Sequence, residues 1–125
     1  MHQVAFVGLG AMGAAMAEGL VKKQFRVTGF DMRREAIDKL VAAGGHGATS
    51  AADAAKDADA LVLMVVNADQ AESVLFEAKA LDALKPDATV VVMATCAPAR
   101  IAAMAAKVEA KGRRFVDAPV SGGVV

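Results

Sequence analysis

The stretch Gln3-Val-Ala-Phe-Val-Gly-Leu-Gly-Ala-Met-Gly13 decides the fold. Gln3 to Gly8 is a short apolar run with Val and Phe, closed by glycine, and reads as a β-strand. Met12, Met16 and Leu20 then recur at helical spacing, so a helix opens directly behind the glycines. The chain therefore passes from strand to helix through the tight turn Gly8-Leu9-Gly10-Ala11-Met12-Gly13.

Outward from this unit the alternation continues. Arg26 to Asp31 reads as a second strand. Arg34 to Val41 reads as a helix, with Ile37, Leu40 and Val41 as its apolar stripe and Gly44-Gly45 as its stop. A weakly marked strand falls between Gly44 and Ser50. Ala60 to Val66 is apolar without alternation, as expected of a central strand covered on both faces. Asn67 or Asp69 is placed to cap a helix carrying Val74 and Leu75, and Lys85-Pro86-Asp87 turns the chain into a strand over Thr89 to Ala94. Pro98 opens a last helix, with Ile101, Met104, Ala105 and Val108 on one face, and Phe115 to Asp117 reads as a sixth strand. Strands alternating with helices imply an α/β fold with a parallel sheet and right-handed crossovers. The simplest such fold is the Rossmann-like doubly wound sheet of order 3-2-1-4-5-6.

The bulk of the chain fits one such domain. At 125 residues it can bury roughly two thirds of its unfolded surface. With 56% hydrophobic and 22% charged residues it is no disordered segment. Fourteen basic and fourteen acidic residues cancel, so no net field favours nucleic acid or an anionic membrane. The single Cys96 forms no internal disulfide, which fits a reducing compartment, and nothing in its neighbourhood argues for a reactive thiolate. The start MHQVAFVGLG has no signal-peptide pattern, and the longest apolar run is far below the ~20 residues of a membrane span. A cytoplasmic location is expected. His2 and His46 are too isolated for a metal site, and none is expected. The methionines read as core filler, with Met12, Met16 and Met104 on buried helical faces.

The glycine turn carries the chemistry. In a G-x-G-x-x-G between strand and helix, the first glycine permits the turn, the second admits a pyrophosphate to the backbone, and the third lets helix and strand close together. The helix N-terminus adds free N–H groups and a positive dipole end. Asp31 ends the second strand and suits the hydroxyls of an adenosine ribose; the plain alternative is a solvated turn residue. A carboxylate there repels a 2′-phosphate and favours NAD, although Arg33 and Arg34 could hold that phosphate and keep NADP possible. Asn67 and Thr95 each follow a strand at the ligand-binding edge, where helix capping and cofactor contact are equally open. Ser121-Gly122-Gly123 suits a carboxylate or an ordinary turn.

Together, Gly8-Leu9-Gly10-Ala11-Met12-Gly13, Asp31, Val65-Val66-Asn67, Thr95 with Pro98, and Asp117-Ala-Pro-Val-Ser-Gly-Gly123 resemble the β-hydroxyacid dehydrogenase family over essentially the whole chain. That family includes 3-hydroxyisobutyrate, tartronate-semialdehyde and 6-phosphogluconate dehydrogenases or reductases. The stretch from Val65 to Phe76 looks most like L-threonate dehydrogenases.

The resemblance implies that Gly8 to Gly13 hold the pyrophosphate and that Asp31, with Met32 beside it, holds the adenosine ribose. It further implies that Val65, Val66, Asn67 and Thr95 line the cofactor, and that Ser121, Gly122 and Gly123 contact the carboxylate of a small hydroxy-acid substrate. The implied reaction is oxidation of that hydroxy acid with NAD. The family's catalytic lysine lies in a helical substrate domain beyond Val125. The expectation is therefore a dinucleotide-binding domain over residues 1–125 without a catalytic residue, inactive alone and homo-oligomeric in the full-length form. The resemblance also implies a nucleotide-binding domain that usually runs a few strands further, so the last sheet edge is expected beyond these residues. The competing expectation is a stand-alone dinucleotide-binding or sensing module, and a purely structural domain would leave the motifs unexplained together.

Overall fold

The computed structural model describes residues 2–119. Six parallel strands form one sheet: β1 (Gln3–Val7), β2 (Arg26–Phe30), β3 (His46–Gly47), β4 (Ala60–Leu63), β5 (Thr89–Val92) and β6 (Arg114–Asp117). Their order is β3-β2-β1-β4-β5-β6, the doubly wound arrangement expected from the alternation of elements. In register, Val7 pairs with Phe30 and Leu63, Leu63 with Val92, and Val92 with Asp117. The strands thus end together, and the residues that follow them share one edge of the sheet.

Each face of the sheet buries a separate apolar layer. On one side α1 (Ala11–Lys22) and α2 (Arg34–Ala42) cover Phe6 and Val27, with Leu9, Ala17, Ile37 and Leu40 in the same cluster. On the other lie α3 (Ala51–Ala55), α4 (Ala68–Glu72), α5 (Ala80–Ala83) and α6 (Pro98–Ala110). That layer joins Ala5, Val7, Leu61, Leu63, Val90 and Val92 to Leu75, Leu81, Met104 and Val108. Strand β4 contributes to both layers, Leu61 and Leu63 to one and Val62 to the other, which is why its sequence shows no polar alternation. It ends at Leu63 rather than Val66, although the Met64 N–H still donates to the Val7 carbonyl at 2.8 Å.

Three local features depart from the sequence reading. Met12 is 47% exposed, not buried. The buried residues of α1 are Gly13 and Ala17, with Met16 and Leu20 partly buried. Gly13 must face the β1 turn, and this rotates its neighbour Met12 away. The short helix α3 has no counterpart in the periodicity, because a run of alanines offers no polar contrast; it starts on a cap in which Ser50 Oγ accepts from the Asp53 N–H at 3.0 Å. Finally, the helix expected around Val74 and Leu75 divides after Glu72 into a π-helical turn, Ser73–Glu77, closed by the Ala78 N–H donating to the Ser73 carbonyl at 2.8 Å.

Candidate functional site

The three glycines of the first turn hold different positions. Gly8 sits at φ +100°, a left-handed backbone that disfavours any side chain, and a Cβ there would run into the Met64 carbonyl. Its N–H donates to the Phe30 carbonyl at 3.0 Å. A Cβ on Gly13 would strike the Gly8 carbonyl, so this glycine lets α1 lie against the end of β1. Both are therefore required by the chain itself.

Gly10 is different. Its φ of −67° is open to any residue, and a Cβ would meet only the Arg33 Nη2, 3.9 Å away. Nothing in the fold demands glycine here. The space it leaves faces a cavity of about 550 Å³, which Gly8, Gly10, Asp31, Met32 and Arg33 line from one side and Val65, Val66, Gln70, Ser73 and Val74 from the other. Gly10 is also the N-cap of α1, where no side chain caps the helix and no acidic residue lies in the first turn. The free N–H groups of that turn and their dipole suit an anion, and a backbone without a side chain lets one approach. A dinucleotide pyrophosphate fits this set.

Asp31 closes the ring from β2. Its Oδ2 accepts from the Leu9 N–H at 2.7 Å, and its Oδ1 accepts from the Arg33 N–H at 2.8 Å and from Arg33 Nε at 3.2 Å. The side chain is 12% exposed. Burial works against its ionisation, but the N–H groups of Arg33 and Leu9 and the Arg33 guanidinium outweigh that and hold the carboxyl below its ordinary range. Asp31 is thus a fixed carboxylate beside the cavity, not a loosely solvated turn residue.

At the next strand end, Asn67 is the N-cap of α4: its Oδ1 accepts from the Gln70 N–H at 2.9 Å, and Gln70 Oε1 in turn accepts from the Val66 N–H at 2.9 Å. Capping is therefore one real role of Asn67, and Asp69 is not the cap. The Asn67 amide nitrogen makes no hydrogen bond among the described residues. Thr95, exposed beyond β5, does not cap α6, whose N-cap is Ala97 without a side-chain bond. Cys96 is partly buried, and burial first, then the charge of Asp117, pushes its thiol up, away from nucleophilic use. Ser121, Gly122 and Gly123, the expected carboxylate contacts, lie outside the described residues. Missed by sequence reading was the opposite wall, Gln70, Ser73 and Val74, whose spacing is visible but whose approach to Asp31 depends on the fold of the whole sheet.

A doubly wound parallel sheet with a glycine turn on one strand, a held carboxylate on the next and a cavity between them defines a dinucleotide-binding domain. Residues 3–125 match the family described as the NAD binding domain of 6-phosphogluconate dehydrogenase, and the chain belongs to that family, within the β-hydroxyacid dehydrogenases. An NAD-dependent L-serine dehydrogenase of Pseudomonas aeruginosa is 39% identical over 124 residues, covering 98% of this chain and 42% of that protein. An L-threonate dehydrogenase of Cupriavidus necator is 37% identical over 123 residues, covering 98% and 41%. A solved 3-hydroxyisobutyrate dehydrogenase from Salmonella typhimurium superposes with a TM-score of 0.93 at 37% identity, covering 98% of this chain and 43% of that one. The chain thus spans less than half the length of these relatives. Among the described residues, no helix is long and apolar enough to cross a membrane.

Proposed function

We propose that this chain is the cofactor-holding part of an NAD-dependent dehydrogenase acting on a small hydroxy acid. The observation that carries the reading is Gly10, a glycine the fold does not require, set at an uncapped helix N-terminus in front of the cavity. In this reading the N–H groups of the Gly8-Leu9-Gly10-Ala11-Met12-Gly13 turn bind the pyrophosphate. Asp31 accepts from the adenosine ribose hydroxyls, with Met32 beside the base. Its charge disfavours a 2′-phosphate, so NAD is preferred and NADP is the weaker ligand.

Val65 and Val66 form the far wall, the Asn67 amide nitrogen and Thr95 reach the nicotinamide end, and Ser121, Gly122 and Gly123 take the substrate carboxylate. When bound, the nicotinamide supplies the hydride chemistry. The chain's own residues bind and orient it, and the acid/base group is supplied by a helical substrate domain outside residues 1–125. The substrate class is supported by the names of the relatives, which include L-serine, L-threonate and 3-hydroxyisobutyrate dehydrogenases. A cytoplasmic location and a homo-oligomeric full-length form belong to the same reading.

A thermal-shift series tests it. A ligand that binds only the folded chain stabilises it by RT ln(1 + [L]/Kd), so the melting temperature should climb steadily with NADH and stay level with hydroxy acid alone. A melting temperature indifferent to NADH would contradict the reading.

A further inference from the structure

The wall of the cavity opposite Asp31 is carried by α4 and the π-helical turn, and this segment has two working faces. Gln70, Ser73 and Val74, at helical i, i+3 and i+4 spacing, line the cavity. Asp69, Glu72 and Phe76 instead meet α6. Arg100, in the first turn of α6, grips the Glu72 carboxylate side-on, with Nε at 3.1 Å from Oε2 and Nη2 at 3.0 Å from Oε1, and the same Nη2 reaches Asp69 Oδ1 at 2.7 Å. Two turns further along α6, Lys107 Nζ lies 5.0 Å from the centre of the Phe76 ring. The Arg100 guanidinium beside Glu72 holds that carboxyl below its usual range.

We infer that Arg100 is a positioning residue: by clamping Asp69 and Glu72 it sets the distance between the Gln70–Val74 wall and the Gly10–Asp31 wall, and so the width of the slot offered to the adenine base. This rests on the cavity being the dinucleotide site. An isolated exposed ion pair adds little to stability, but a planar fork on one carboxylate shared with a second fixes direction as well as distance. The π turn that follows α4 is a rare geometry, found mostly as a single turn within helices and often at functional sites. Among the described residues the hydrogen-bond and ion-pair partners of the Arg100 side chain are Asp69 and Glu72, neither of which lines the cavity, so its effect passes through α4.

The test compares NAD⁺ with its 1,N6-ethenoadenine analogue, which widens only the base, by calorimetric titration of the intact chain. Arg100→Gln removes both arms of the clamp and should weaken NAD⁺ roughly fivefold, near the upper end of what an exposed pair delivers. Glu72→Gln leaves the Arg100–Asp69 pair and should weaken NAD⁺ by a smaller factor. The analogue should lose less, so the preference for adenine narrows. The double variant should be no weaker than Arg100→Gln alone, since Glu72 has already lost its partner there. Asp31→Ala, on the other wall, should weaken both ligands alike. The inference is overturned if the clamp variants leave NAD⁺ unchanged, or if they weaken both ligands in the same proportion, as a general loosening would. If wild-type chain and Asp31→Ala fail to differ with NAD⁺, the assignment of the cavity itself has failed.

Discussion

The Leu9 N–H donates to Asp31 Oδ2 at 2.7 Å, so the carboxylate at the end of β2 is tied to the glycine turn at the end of β1. One side chain thereby shapes the turn and faces the cavity. Its removal should register in both stability and binding. Asp31→Ala leaves a partly buried N–H without its acceptor, which costs about 1–3 kcal/mol, visible as a lower melting temperature. NADH affinity should fall more than NADPH affinity, because only the unphosphorylated ribose uses the carboxylate. Equal loss of the two in paired titrations would remove the ribose role.

Gly10→Ala and Gly13→Ala separate binding from folding. At Gly13 the new methyl lands on the Gly8 carbonyl, and the strand–helix packing has to open at a cost of about 1–3 kcal/mol. At Gly10 the methyl enters open space at a permitted φ, so stability changes by less than about 1 kcal/mol, the scale of an N-cap preference. NADH binding should nonetheless be lost at Gly10. Chemical denaturation beside NADH titration measures both, and a Gly10→Ala chain that still binds NADH would show that the space is not a ligand's.

Asn67 carries two roles that a pair of substitutions can divide. Asn67→Ala removes the cap on the Gln70 N–H and should cost about 1 kcal/mol. Asn67→Ser keeps a capping oxygen but loses the amide nitrogen, so it should melt close to wild type while binding NADH more weakly. If the serine variant binds as well as wild type, Asn67 is a cap only.

Acid sensitivity follows from the depressed carboxyls. Asp31 has a folded pKa below its unfolded value of about 3.9, so its contribution is fully present above that value and is lost as pH falls through the folded pKa. Asp59, held down first by the Gln3 N–H and then by Lys85, and Asp82, held down by Lys111, act in the same sense. Stability should therefore be level through neutral pH and fall below about pH 4. Melting curves of Asp31→Asn should show a shallower acid limb than wild type; an equal slope would mean that the carboxylate is not linked to folding.

How far the sequence discloses all this depends on the range of the interaction. The strand order, the glycine turn and Asp31 are legible because each is written in a few consecutive residues: an apolar run, a glycine spacing, an acidic strand end. The motif already assigns the three glycines different roles, and the structure adds the physical reason, the positive φ of Gly8 and the crowding at Gly13, that sets these two apart from Gly10. The two-residue β3 and the alanine-rich α3 lack periodicity, and the π turn is one residue out of step with a helical pattern that otherwise runs straight through it. The Arg100 clamp spans 28 and 31 residues of sequence, and only the packing of α4 on α6 brings its members together.

The account stands most directly on calorimetric titration of the chain with NADH and with NADPH under identical salt. It predicts saturable one-site binding of NADH, weaker binding of NADPH, and a difference between them that shrinks in Asp31→Ala. Absence of binding by either nucleotide at millimolar concentration, or a wild-type preference for NADPH, would contradict it.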